Sequence, residues 1–354
     1  MSIRKMQLAL VCLVGLIVFN GCKEKPEEKG NVLGDVYILN EGGWGENNAS
    51  LSCYNSQTKQ VVNDCFLTQN GRGLGDLAND LKAYGGKLYC VVNGSSTVEV
   101  MDISTGKSVK QIRLFDGANA RSPRRIAFWQ NKAYVCCYDG TVVRIDTASL
   151  AVEASVNVGR NPEDLCVSNG KLYVSNSGGL DFPNYDTTVS VIALSSFTET
   201  KKITVGANPS RIQADAYDNV YLIVVGNYYD VPTTFKCINS QTDALTQSFD
   251  IVASNFVISG SSAYLYQYDY STYSYWVKEF NVVSKQVAKE NFLSESVDLQ
   301  TPYGISVDAS NGDVYIADAR NFKESGDVYC FDKNGKKKFV LGVGQNPNHI
   351  LIIK

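Results

Sequence analysis

The stretch Pro162-Glu-Asp-Leu-Cys-Val-Ser-Asn-Gly-Lys-Leu-Tyr-Val-Ser-Asn176 decides the fold. It opens on proline, which a strand tolerates at its first residue because no ladder bond is lost there. It turns on Asn169-Gly170 and returns through Leu172-Tyr173-Val174, so it reads as two antiparallel strands. Both halves recur. The apolar-Tyr-apolar half stands at Tyr37, Tyr89, Tyr134, Tyr173, Tyr221, Tyr264 and Tyr315, at spacings of 52, 45, 39, 48, 43 and 51 residues. The opening half recurs as Pro123-Arg124-Arg125-Ile126, Pro209-Ser210-Arg211-Ile212 and Pro302-Tyr303-Gly304-Ile305. Ala78-Asn79-Asp80-Leu81 and Ala253-Ser254-Asn255-Phe256 hold the same place without proline. A third strand follows each tyrosine, as in Thr97 to Asp102 and Thr141 to Asp146. A fourth is exemplified by Ala154 to Gly159 and Lys202 to Gly206. Seven units of about 46 residues fit four-stranded propeller blades.

One further opening motif, Pro347-Asn348-His349-Ile350, has no tyrosine strand after it, and the first tyrosine strand has no opening strand before it. Joined, they complete one blade. The expectation is an all-β, seven-bladed β-propeller of four-stranded antiparallel blades, closed by the C-terminal strand joining the first blade. Closure protects sheet edges that otherwise template aggregation.

These blades resemble the YVTN-type repeats of bacterial surface-layer-like propellers, with Leu172-Tyr173-Val174-Ser175-Asn176 the clearest copy. The run Ile38-Leu-Asn-Glu-Gly-Gly-Trp-Gly-Glu-Asn-Asn-Ala-Ser-Leu51 resembles the opening of a Bacteroidetes lipoprotein propeller family defined as a domain of unknown function. The resemblance spans nearly the whole chain after its leader. It implies the propeller fold and, from relatives that capture cobalamin for a TonB-dependent outer-membrane transporter, a corrinoid ligand. No ligand-contact motif carries over residue by residue.

The N-terminus reads as an export signal. Arg4 and Lys5 precede an apolar run from Leu8 to Phe19, and Gly21 precedes Cys22. Twelve apolar residues are short for a bilayer span. The shape is that of a lipobox, although Phe19 and Asn20 fit its preceding positions poorly. Cleavage before Cys22 with lipidation of its thiol is the leading expectation; an uncleaved anchor or an ordinary signal peptide are the alternatives. The organisation is then signal peptide 1–21, lipid-anchored tether 22–33 and propeller 34–354. Residues 23–31 (KEKPEEKGN) bury nothing and read as a flexible spacer. A charged run after a lipidated cysteine resembles the surface-export signal of Bacteroidetes lipoproteins, so the expected location is the outer membrane, exposed at the cell surface. Residues 1–21 carry two basic and no acidic residues, so their loss takes the formal charge from −3 to −5. That balance disfavours a nucleic-acid partner.

Eight further cysteines stand between Cys53 and Cys330, none in a C-x-x-C pair, which disfavours zinc. Cys53 and Cys65 either face each other across a hairpin as a disulfide or stay free. Asp308-Ala-Ser-Asn-Gly-Asp313 has calcium-like acids but reads as a tight turn.

Strands alternate in direction, so loops joining strands two and three share one face with connections between blades. That face carries the long loops 40–50, 176–187, 226–233, 269–274 and 319–326, rich in aromatic residues. The other face carries minimal turns such as Ser104-Thr-Gly-Lys107 and Lys333-Asn-Gly-Lys336. Long loops on a rigid scaffold concentrate function, and exposed aromatic clusters mark recognition. The expected ligand rim is Trp44, Phe182, Tyr185, Tyr228, Tyr229, Tyr273, Trp276 and Phe322, some of which also brace the loops. The expected polar floor is Arg124, Arg125, Asp164, Arg211 and His349, positions that also suit hydrogen bonding between blades.

His349 is the only histidine, which removes His-dependent triads and multi-His metal sites. Glu163 and Asp164 are adjacent, and alternation along a strand sends neighbours to opposite faces. No catalytic residue, cofactor or metal is expected. The chain reads as a binder of a nutrient ligand, a corrinoid by resemblance, with a protein-interaction or surface-layer adhesion module as the alternative.

Overall fold

The computed structural model describes residues 34–353. The expected signal peptide, Cys22 and the whole tether lie outside the described residues. Seven four-stranded antiparallel sheets follow one another along the chain. Their inner strands are Pro347–Ile352, Ala78–Tyr84, Pro123–Trp129, Pro162–Ser168, Pro209–Ala214, Asn255–Ser259 and Pro302–Asp308. The first blade runs Gln60–Val62, Ser50–Asn55, Val36–Asn40, Pro347–Ile352 from outside inwards, so the C-terminal strand completes the ring. Its register pairs Ile38 with Ile350 and Leu39 with His349.

The repeated tyrosines explain the period. All seven are buried. Two reach across to the next blade: Tyr173 donates to the Ser240 carbonyl at 3.1 Å and Tyr221 to the Val282 carbonyl at 2.9 Å. Buried phenols need such partners. The apolar core is divided in the same way. Tyr89, Val100, Ile126 and Val135 pack together between the second and third blades, and Tyr221, Phe235, Phe256 and Phe280 between the fifth and sixth.

Two elements lie in connections between blades. A short helix, Cys65–Asn70, is capped by Asp64, whose side chain accepts from the Leu67 N–H. A small hairpin pairs Phe115–Asp116 with Asn119–Ala120. Cys53 and Cys65 form a disulfide that ties this helix to the first blade. The second cysteine therefore sits at a helix start, not on the facing strand of a hairpin.

Candidate functional site

Six of the seven inner strands shift register near their first residues, between Ala78 and Asp80, Pro123 and Arg125, Pro162 and Asp164, Pro209 and Ile212, Pro302 and Gly304, and opposite Leu39 and Asn40. A bulge inserts an unpaired residue and re-aims its side chain. Here the re-aimed residues include Asn79, Arg124, Glu163 and Tyr303, and they meet at the channel mouth on the long-loop face. Tyr303 donates to Glu41 Oε2 at 2.6 Å, and Asn79 Nδ2 donates to Glu41 Oε1 at 2.7 Å. Arg124 donates to Asn79 Oδ1 at 2.9 Å and to both oxygens of Glu163 at 2.5 and 3.2 Å. Its guanidinium lies 4.6 Å over the Tyr138 ring, and Tyr138 donates to Glu163. Burial pushes the Glu163 carboxyl up, but Arg124 and the Tyr138 hydroxyl outweigh it and hold the group below its usual range. Burial, then Glu41, pushes the Tyr303 phenol well up, so it stays a donor.

Strict alternation predicted that Glu163 and Asp164 face apart. The bulge alters that: both ring the channel, Glu163 at the mouth and Asp164 one level below. The lower ring holds Asp80, Arg125, Asp164, Arg211, Asn255 and His349. Asp80 accepts from its own neighbour Leu81 N and from Ile126 N of the next blade at 3.0 Å. Asp164 does the same with Leu165 N and Ile212 N, at 2.8 and 3.3 Å. Burial, opposed by Arg125, pushes the Asp164 carboxyl up to about 6. Burial pushes Asp80 the same way, but Lys82, His349 and Arg125 together bring it below its usual value. His349 Nδ1 stands 3.4 Å from Asp80 Oδ1. Burial and the nearby Lys82 outweigh that carboxylate and lower the imidazole to about 3, so the contact is not an ion pair at neutral pH.

This ring lines the upper part of a cavity of about 840 Å³ in the channel. Its wall runs along the inner strands from this ring to the Ala309-Ser310 turn, towards the tight-turn end. Buried polar atoms on its wall without a partner include Arg125 Nε and Asn348 Oδ1.

The expected site residues therefore divide into groups. Arg124 belongs to the mouth network; Arg125, Asp164, Arg211 and His349 belong to the cavity wall beneath it. Trp44, Phe182, Tyr228, Tyr229 and Tyr273 stand 72% or more exposed on the long loops. Phe182, Tyr185 and Tyr228 form an edge-on chain, at 6.1 and 6.2 Å, that links two neighbouring loops. Phe322 sits edge-on to Tyr303 at 5.4 Å, beside the mouth. Trp276 does not join them: it packs against the core between the fifth and sixth blades, under Lys278. Sequence reasoning missed Glu41 and Tyr138 as mouth residues. Glu41 and Tyr138 each follow a tyrosine strand directly, a position the repeat itself could have exposed.

Asp308 accepts from Ser310 within its turn. No group of His, Cys, Asp or Glu side chains suited to a metal occurs among the described residues.

A family model described as "Domain of unknown function (DUF5074)" matches residues 34–346. No curated protein matches the chain. Solved structures with a similar fold include a quinonprotein alcohol dehydrogenase-like protein from Bacteroides thetaiotaomicron, with a TM-score of 0.68 and 16% identity over 92% of this chain and 79% of that one. Hydrazine synthase from Kuenenia stuttgartiensis aligns with a TM-score of 0.58 and 16% identity, over 71% of this chain and 74% of that one. The computationally designed Ika8 protein aligns with a TM-score of 0.55 and 14% identity, over 88% of each chain. At these identities the likeness is one of fold.

Proposed function

The chain belongs to the DUF5074 family of domains of unknown function, and from that premise we propose that it captures a ligand on its long-loop face while anchored at the outer-membrane surface. The observation that carries the reading is the set of exposed rings, Trp44, Phe182, Tyr228, Tyr229, Tyr270 and Tyr273, 64–95% exposed around one polar mouth. Rigid rings give large contact area at low entropy cost, and polar groups below them fix orientation. The ligand class is a corrinoid, taken from the resemblance of residues 38–51. A corrin is broad and edged with amides, so it suits stacking on a rim with hydrogen bonds to a centre. Its destination would be a TonB-dependent outer-membrane transporter. In this reading the chain is a binder, and its one histidine, mostly buried beside Asp80 with its imidazole lowered to about 3 by burial, is part of the channel wall.

The anchor in this reading is a lipid on Cys22, carried by the Gly21-Cys22 pair after the apolar run. Cys22→Ser should then release the protein from membranes; retention there would remove lipidation from the reading.

A second reading, a protein-interaction or adhesion surface, is favoured by one observation. The mouth groups already satisfy one another, and the exposed rings spread over several loops, which suits a broad protein partner. Calorimetric titration of cobalamin and cobinamide separates the two. Saturable binding, weakened by about 2 kcal/mol or more on Tyr228→Ala and unchanged on Lys107→Ala or Lys336→Ala, is the expected result. Absence of binding by the unaltered protein removes the corrinoid and leaves the interaction surface.

A further inference from the structure

We propose that the cavity running towards the tight-turn end is a further binding site, for a small organic anion carrying an apolar body. It shares Arg125, Asp164, Arg211 and His349 with the polar floor expected from the sequence, but its wall continues from them to the Ala309-Ser310 turn, away from the exposed rings of the long loops.

The charge balance at its inner end points to an anion. Lys82, Arg125 and Arg211 stand there against Asp80 and Asp164. The two carboxylates are already committed, since each places both oxygens on backbone N–H groups, its own neighbour's and the next blade's. Lys82 and Arg125 approach Asp80 at 3.9 and 3.5 Å. Arg211 lies on the wall with no ion pair among the described residues. Arg125 is only 9% exposed, and its Nε is a buried donor without an acceptor. Donors left without acceptors in a buried position are costly, and a carboxylate or phosphate oxygen supplies what they lack. A cation would meet three like charges and donors that cannot ligate it.

The outer wall sets the rest of the ligand. Phe128, Val167, Ile258 and Ile352 line it, and Phe128 is held by stacking on Tyr84 at 4.5 Å. An apolar wall below a charged end fits an amphiphile with its head inward. The volume lies within the range of about 300–1,000 Å³ typical of small-molecule sites. At the outer end Asp308 is bound to Ser310 of its own turn, away from the head-group position.

Cys166 offers a local reporter. It lines the cavity and is the one free cysteine among the described residues that is not fully buried. Burial pushes its thiol well up, so labelling is slow and any protection is readily timed. The test titrates the full chain with octanoate, octyl phosphate and octanol, and follows Cys166 labelling by a thiosulfonate reagent with each. Saturable binding of one or both anions, with slowed Cys166 labelling, is expected; which anion binds tighter separates a carboxylate from a phosphate ligand. Octanol should bind at least about tenfold more weakly, and Arg211→Gln should weaken the anion by a similar factor. If Arg211→Gln does not fold, Ile258→Asp should produce the loss from the apolar end. The proposal is overturned if neither anion binds saturably, if octanol matches them, or if Cys166 labelling is unaffected. Cobalamin is not a probe here, so the result stands apart from the corrinoid reading.

Discussion

Asp80 and Asp164 each place one oxygen on the backbone N–H of the following blade, Ile126 and Ile212. They look alike in sequence, yet their surroundings separate them. Asp80 has Lys82, His349 and Arg125 about it and is held below its usual value; Asp164, mainly through burial, is pushed up to about 6 from 3.8. A raised carboxyl stabilises the fold fully below its unfolded value, and that contribution is lost as pH rises through the folded one. Asp164 should therefore cost roughly 3 kcal/mol of stability between about pH 4 and pH 7. Its carboxyl carbon shift in an NMR titration should move with a midpoint near 6; a midpoint near 4 would contradict this. The same contrast orders two variants at neutral pH. Asp80→Ala leaves Arg125 without its nearest carboxylate and should cost about 3–5 kcal/mol in denaturant unfolding. Asp164→Ala also relieves an unfavourable charge, so it should cost less. The repeat made both aspartates legible as ring positions. Their different protonation was not legible, because it depends on which cations other blades bring to the same level.

The elements read most easily were those that repeat. Seven tyrosine strands and seven opening strands fixed the blades, because alternation and turn residues act locally. The bulges were hidden. A register shift leaves composition unchanged, so the division of labour at Glu163 and Asp164 was not legible: beside the shift between Pro162 and Asp164, Glu163 joins Arg124 at the mouth and Asp164 lines the cavity. Trp276 was misplaced for a related reason: it follows a long loop, but its strand turns it onto the core between blades. The helix Cys65–Asn70 and the hairpin Phe115–Asp116 with Asn119–Ala120 occur once each, so no period announces them. The helix has its own fastening, Cys53 to Cys65, across 12 residues of chain. Closing such a short loop stabilises by about 2–4 kcal/mol in the chain-entropy view. A Cys53→Ser, Cys65→Ser double variant should therefore lose about that much in denaturant unfolding under oxidising conditions. A reductant should lower the unaltered protein to the same level. If reduction leaves unfolding unmoved, the pair does not stabilise the blade.

Closure belongs to the whole molecule. The strand Pro347–Ile352 is the last of the chain, yet it is the inner strand of the first blade and touches both neighbours in the ring. Ile350 packs with Val36, Ile38, Ala317 and Val328 between the seventh and first blades. Asn348 Nδ2 donates to the Ala78 carbonyl at 2.9 Å, on the second blade, and Asn346 Nδ2 to the Gly42 carbonyl at 2.8 Å. Deleting residues 346–354 would remove Ile350 and the partly buried Ile352 from the core, at roughly 1.5–3 kcal/mol for each fully buried side chain. It would also strip the ladder from Val36–Asn40 and leave that strand as an open edge. Folded domains are stable by about 5–15 kcal/mol, so the losses together approach the whole margin. The truncated chain should aggregate or melt without a cooperative transition, whereas Lys354 alone should be dispensable. Adding the missing nine residues back as a separate peptide should restore a cooperative melt, since the peptide needs only to dock as one strand. A truncated chain that melts cooperatively by itself would mean that six complete blades and an open one suffice, and that the last strand does not hold the ring.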